Sequence, residues 1–368
     1  MGEVFELHSW KFARLRALVS LSIVLLLGQP LNAHTVAADY ELKPIPLLSG
    51  SGVIVLDHLA YDRSKGRLWV PASNTGNVDV IDATSDAVSK VSGFNTGEVE
   101  LDGHKAKLGP TAVSIGQGVV YIGNRGDSSL CVIDSETLAR GECVAISRSS
   151  PESDTGPHGV TYVPATREVW VTTGPGKSIQ IFDASEPRHP KFKTKIELDG
   201  PTEGYAIDNQ RGQFYTNIAE KGSTVAIDLR THKIVSKWDV GSTDLQGLAI
   251  DIERGLLFVA CANHVASLDV RHSGKLLDSI PTGTGLDDID FSREQKLLYA
   301  AASITATLSI IEVSDDGKFH LKALVPTAKG ARGVVAAKGK TAYIIDPAEG
   351  RILKVIPNDA PQMHDSGT

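Results

Sequence analysis

One pattern is written seven times along this chain, and a chain that repeats itself every few tens of residues buries its core by stacking the copies. Each copy holds a short apolar run, a turn, an aromatic and apolar run, a loop, and a further apolar run that in the first six closes on an acid. The aromatic runs are Leu68-Trp69-Val70, Val120-Tyr121-Ile122, Val169-Trp170-Val171, Gln213-Phe214-Tyr215, Leu257-Phe258-Val259, Leu298-Tyr299-Ala300 and Ala342-Tyr343-Ile344. The closing acids Asp82, Asp134, Asp183, Asp228, Asp269 and Glu312 lie about 41 to 52 residues apart, the length of one four-stranded propeller blade.

Within each copy the runs are short, rich in Val, Ile, Tyr and Thr, and bounded by Gly, Asn, Asp and Pro, which is strand and turn chemistry. A single four-stranded sheet leaves two apolar faces open, so the units must pack face to face, and a closed ring covers the faces of the terminal units. The last unit dissolves into a polar stretch after Pro357, one strand short. The first has a spare extended segment, Tyr40 to Leu48, in which Pro44 and Pro46 mark an edge strand. The expected architecture is an all-β, seven-bladed β-propeller whose last blade is closed by the N-terminal strand. It forms one domain over residues 39–357, between a signal peptide at 1–38 and a polar tail at 358–368.

The segment Val-Tyr-Ile-Gly-Asn-Arg-Gly-Asp-Ser-Ser-Leu-Cys-Val-Ile-Asp at 120–134 resembles the YVTN propeller repeat of YncE-like periplasmic proteins, with its strand, Asn-containing loop and strand ending in Ile-Asp. The resemblance runs over about residues 40 to 357. It implies a fold more than a function, because propellers host unrelated activities. Tyr299-Ala300-Ala301-Ala302 departs from it by lacking the Asn, and the last unit carries Asp346 in the loop.

Lys11, Arg14 and Arg16 precede an apolar stretch from Ala17 to Leu27, followed by small-residue cleavage motifs at Leu31-Asn32-Ala33 or Val36-Ala37-Ala38. This is the pattern of an export signal, and the stretch is shorter than the roughly 20 residues of a membrane span. A periplasmic or extracellular monomer with no span after cleavage is expected. The formal net charge of -7 argues against general nucleic-acid binding, which needs a concentrated basic face. Cys131 and Cys143 fall on facing strands of the second blade, which favours a disulfide in an oxidising compartment. Cys261 reads as a small core residue.

The innermost strand of each propeller blade lines the central channel. The matched positions where these strands begin are His58, Thr111, His158, Glu203, Gln246, Asp287 and Arg332. They vary among polar types while the scaffold repeats, so this ring is the candidate binding site at the channel mouth. Loops on the same side supply a second set: Asn74, Asn124 with Arg125, Lys177, Glu220 with Lys221, Asn263 with His264, and Asp346. Asn74 and Asn263 read first as turn residues, whereas Arg125 and His264 join the candidate site. Arg125-Gly126-Asp127 reads as an ordinary loop, and His104, on the long connection between the first two blades, as a residue able to fold over the mouth. The repeated acids read as caps of the hairpins that follow them.

His58, His158 and Glu203 are candidate ligands of a divalent metal, since imidazoles and a carboxylate suit Zn²⁺ or a similar ion. No HExxH-like spacing accompanies them, and separate hydrogen bonds to channel water are the plainer reading. His158 with Glu203 as a metal-free acid/base pair is a further option. Two functions compete. One is a secreted propeller that binds a small molecule, peptide or protein partner without catalysis. The other is a metal-assisted lyase or hydrolase of the lactonase kind on the same residues, with Arg332 as an anion clamp. No Gly-Lys-Ser/Thr follows Pro281-Thr282-Gly283-Thr284-Gly285, and no GxSxG elbow is present.

Overall fold

The β-branched and aromatic runs form seven four-stranded antiparallel sheets. The computed structural model describes residues 39–50, 52–101, 104–148 and 156–358; the leader expected over 1–38 and the tail beyond Asn358 lie outside the described residues. The innermost strands of blades 1 to 7 are Ala60–Asp62, Pro110–Ile115, Gly159–Val163, Thr202–Asp208, Leu248–Asp251, Leu286–Ser292 and Val334–Ala336. Each touches the next, and the seventh touches the first. The chain is a closed seven-bladed β-propeller. Among the described residues no helix is long and apolar enough to cross a membrane.

The aromatic runs are the second strands, buried on both faces because neighbouring blades cover them. Trp69, Tyr121, Trp170, Phe258, Tyr299 and Tyr343 have no exposed surface. They fill the spaces between blades, as where Trp170 meets Phe214 with ring centroids 4.9 Å apart, or Phe258 meets Phe291 at 5.1 Å. Each large apolar side chain buried this way contributes about 1.5–3 kcal/mol. Repetition of that contact around the ring supplies the core that a lone sheet lacks.

Blade 7 takes its outer strand from the N-terminal side of the chain. Tyr40–Pro46 pairs antiparallel with Arg351–Pro357, from Tyr40 opposite Pro357 to Pro46 opposite Arg351. Pro44 and Pro46 are tolerated because an edge strand has one hydrogen-bonding side free. Polar ties then fix the closing segment to blade 1: Leu48 N and Ser49 Oγ donate to the buried Asp79, and Lys43 and Lys354 both reach Asp86.

Five of the repeated acids cap their hairpins as expected. Asp82 Oδ1 accepts from the Thr84 and Ser85 amides, and Asp134, Asp183, Asp228 and Asp269 do the same in their own turns. Glu312 differs. In blade 6 the side chain that closes the turn is Ser314, which exchanges hydrogen bonds with Lys318. The connection between blades 1 and 2 is also more ordered than a plain loop. Gly97–Leu101 and His104–Leu108 form an inserted hairpin with Glu98 opposite Lys107 and Glu100 opposite Lys105, and His104 opens its second strand. Cys131 and Cys143 are direct partners in the register of blade 2 and are bonded, while Cys261 is a buried free thiol that burial pushes up to about 11.

Candidate functional site

In blades 1, 5 and 6 the start of the innermost strand is tied by backbone bonds to the next blade, which brings matched registers to one height. His58 N donates to Thr111 O, Gly247 N to Asp287 O and Asp288 N to Arg332 O. Asn217 Nδ2 donates to Gln246 O, and Tyr205 Oη reaches back to Val160 O. In three blades the same strand is bulged here, at Pro110/Ala112, Glu203/Tyr205 and Leu286/Ile289. A bulge re-aims the side chains beside it. In blade 4 the extra residue is Gly204 at φ +62, where an added Cβ would meet Gln246 O at 2.5 Å. Only glycine fits that backbone and that approach.

Titratable side chains from six blades meet above these bulges. His58 Nδ1 lies 3.2 Å from Asp288 Oδ2, and Arg332 bridges Asp57 and Asp287 at 3.2 Å each. His158 Nε2 lies 3.7 Å from Glu203 Oε2. The His58 and His158 rings meet edge to face at 5.8 Å, with Tyr205 6.4 Å from His58. Arg125 is buried, its Nε donating to Pro157 O, so the Arg-Gly-Asp tripeptide presents no exposed arginine.

The protonation pattern follows from crowding in a desolvated place. Burial opposes charge on His58, yet Asp288, Asp57 and Asp287 outweigh it and push the imidazole up to about 10. Burial likewise works against Asp57, but His58, Arg332 and Arg125 hold its carboxyl well below the usual range. His158 goes the other way: burial, with the Arg125 and His58 cations nearby, pushes it well below its ordinary value. Burial and the Asp287 charge push Glu203 up to about 8. Burial also lifts Asp287 to about 6 against the pull of Arg332. These shifts favour the imidazolium of His58 and the uncharged forms of His158 and Glu203 at neutral pH. The close contact between His158 and Glu203 is therefore a meeting of two uncharged groups.

Not every expected residue joins this cluster. Thr111 is buried at the right register, but its Oγ1 has no hydrogen-bond partner among the described residues, and neither does His58 Nε2. Gln246 turns its amide to Asp244, and His264 Nδ1 sits 3.0 Å from its neighbour Asn263. The loop set is mostly structural: Asn74 ties Val55 N, Asn124 bonds within its own loop, Lys221 pairs with Asp199, and Asp346 holds Arg351. His58 and His158, expected with Glu203 as candidate ligands, each face a different acid. His58 turns to Asp288 and His158 to Glu203, and no group of three or more His, Cys, Asp or Glu converges for a metal among the described residues.

Sequence reasoning missed Asp57, Asp288 and Tyr205. The two acids are direct neighbours of the registered His58 and Asp287, and the bulge that admits Asp288 leaves no mark in the repeat spacing. Deeper in the channel Asp290 accepts from the Ala336 and Phe291 amides, and burial pushes it up to about 6.

No family model matches the chain, and no curated protein matches it. Solved propellers do. One chain of Kuenenia stuttgartiensis hydrazine synthase aligns at 15% identity and a TM-score of 0.67, over 83% of this chain and 96% of its own. Streptogramin B lyase aligns at 13% identity and 0.66, covering 88% and 99%. A chain of the mitotic checkpoint complex aligns at 13% identity and 0.67, covering 93% and 98%. The likeness is one of fold. Two of these neighbours are enzymes by name and one belongs to an assembly, so the architecture alone does not fix the chemistry.

Proposed function

We propose that this protein is an exported, YVTN-type propeller that binds a small molecule at the polar mouth of its channel without altering it. The observation that carries this reading is the convergence of Asp57, His58, His158, Glu203, Asp287, Asp288 and Arg332 at one register of the ring. Burying so many titratable groups together is costly, and sites of that kind concentrate where a ligand is met. The leader-like sequence of 1–38 and the Cys131–Cys143 bond support a location outside the cytoplasm. The test is a thermal-shift screen of small polar metabolites against the parent and a His158→Ala/Glu203→Ala double variant. A hit should raise the parent's melting temperature and leave the variant's unmoved, while the two unliganded proteins melt alike. A hit that stabilises both equally would place binding elsewhere.

One contact favours a second reading, catalysis by proton transfer. His158 is a base without its proton and Glu203 an acid with one, 3.7 Å apart. A pair poised this way could take a proton from one substrate atom and return one to another, which is the work of a lyase. Streptogramin B lyase shares the fold and carries that activity in its name. This form of the reading needs no metal, and turnover that survives chelation but not Glu203→Gln would support it.

A further inference from the structure

Among the described residues, the mouth holds more carboxyls than permanent cations. Asp57, Glu203, Asp287 and Asp288 share it with the guanidinium groups of Arg125 and Arg332. Arg332 is already claimed by Asp57 and Asp287, and Asp288 by His58. Glu203 stands apart. No lysine or arginine lies within ion-pair distance of it among the described residues, and His158 Nε2 at 3.7 Å is beyond hydrogen-bond reach. Its side chain is 19% exposed, so it is open to a ligand but poorly hydrated. On the innermost strands, Glu203 of blade 4 and Asp287 of blade 6 flank Gln246 of blade 5, and one edge of the ring is acidic.

Resting on the binding reading above, we propose that the ligand is an organic cation, a small molecule whose ammonium or guanidinium head seats in the sector of blades 4 to 6 against Glu203 and Asp287. Among the described residues, four carboxyls face two arginines in the ring, and protons on His58 and Glu203 offset that excess of acid. A cationic head can take the place of the Glu203 proton. An inorganic ion fits less well, because it needs several oxygens at about 2.0–2.6 Å and no such group converges among the described residues. A spread-out, hydrogen-bonding head can span carboxyls that lie on different blades. The groups facing Glu203 are Asp287, Arg125, Asp57, His58 and His158; the acids hold the proton on, and the cations limit that effect.

Isothermal titration calorimetry with three matched probes, 1,5-diaminopentane, 1,5-pentanediol and glutarate, together with MgCl₂, tests this on the purified protein. The diamine should bind at least tenfold more tightly than the diol or the dianion. With Glu203 near 8, its binding at pH 7 should release close to one proton, read from the dependence of the heat on buffer ionisation, and the release should fade by pH 9. Glu203→Gln should lower diamine affinity at least tenfold and abolish the release, with unchanged circular dichroism and a melting temperature no lower than the parent's as the check that the ring is intact. Glutarate or the diol binding as tightly as the diamine, in a manner lost with Glu203→Gln, would overturn the cation while leaving the mouth as the site. Magnesium binding that Glu203→Gln removes would replace the organic cation with a metal. Diamine binding that Glu203→Gln leaves unchanged, or no diamine heat at all, would also overturn it; the fate of the mouth itself is then read from the unbiased screen described under Proposed function.

Discussion

Replacing Ile45 by alanine should weaken the whole ring, because this side chain belongs to the seam that makes the ring closed. Ile45 is 3% exposed and packs with Leu47, Ile54, Leu56, Leu68, Val70, Tyr343 and Ile352, residues drawn from blades 7 and 1 and from the chain between them. Truncating such a side chain leaves a cavity where two blades meet and costs about 2–5 kcal/mol, against a total stability on the order of 5–15 kcal/mol. Glu41, exposed on the same strand, is the control, and its alanine variant should stay within about 0.5 kcal/mol of the parent. Urea unfolding followed by tryptophan fluorescence measures both. A chain beginning at Gly52 loses all seven register partners of the closing strand. It should melt well below the parent and regain stability when a peptide of residues 39–50 is added. If that shortened chain melts with the parent, or if Ile45→Ala and Glu41→Ala cannot be told apart, strand closure does not stabilise the ring and the reasoning fails.

Thiol titration of denatured, unreduced protein isolated from an oxidising compartment should find one free thiol, Cys261; three would show that the Cys131–Cys143 bond does not form there. Because burial raises Glu203 from its ordinary value to about 8, the folded state binds the more protons between roughly pH 4.5 and 8, so this residue's contribution to stability falls as pH rises through that window. Raised His58 falls in the same sense between about 6.5 and 10, and the difference between parent and Glu203→Gln in pH-dependent urea midpoints isolates the carboxyl; an unchanged slope in the variant would rule out the raised value. Glu168 is buried and accepts from Thr166 Oγ1, Trp170 Nε1 and Lys193 Nζ, with His232 Nε2 of the next blade at 3.1 Å. Glu168→Ala strands the buried indole N–H, which alone costs about 1–3 kcal/mol, and should shift the tryptophan emission as well as the urea midpoint.

The seven-fold repeat was legible because stacking demands the same residue types at the same places: an aromatic strand between two neighbours, and a short acid to cap the next turn. Asp82 and Trp69 look like Asp228 and Tyr215 because they face the same physical problem. The closing strand was legible for a related reason, since a missing strand at one end and a spare one at the other admit a simple repair. The site obeys different constraints. His58, His158, Glu203 and Arg332 could be placed at one register by counting, but their partners could not, because Asp57 sits one residue before the aligned position and Asp288 enters through a bulge that leaves spacing unaltered. Nor does the sequence reveal charge states. Whether Glu203 carries a proton depends on how far water is excluded and on which arginine Asp287 already holds, and both are set by residues from blades distant in sequence. Repetition therefore writes the scaffold into the chain, whereas the chemistry of the mouth lies in the departures from repetition and acquires its protonation pattern only when the ring closes.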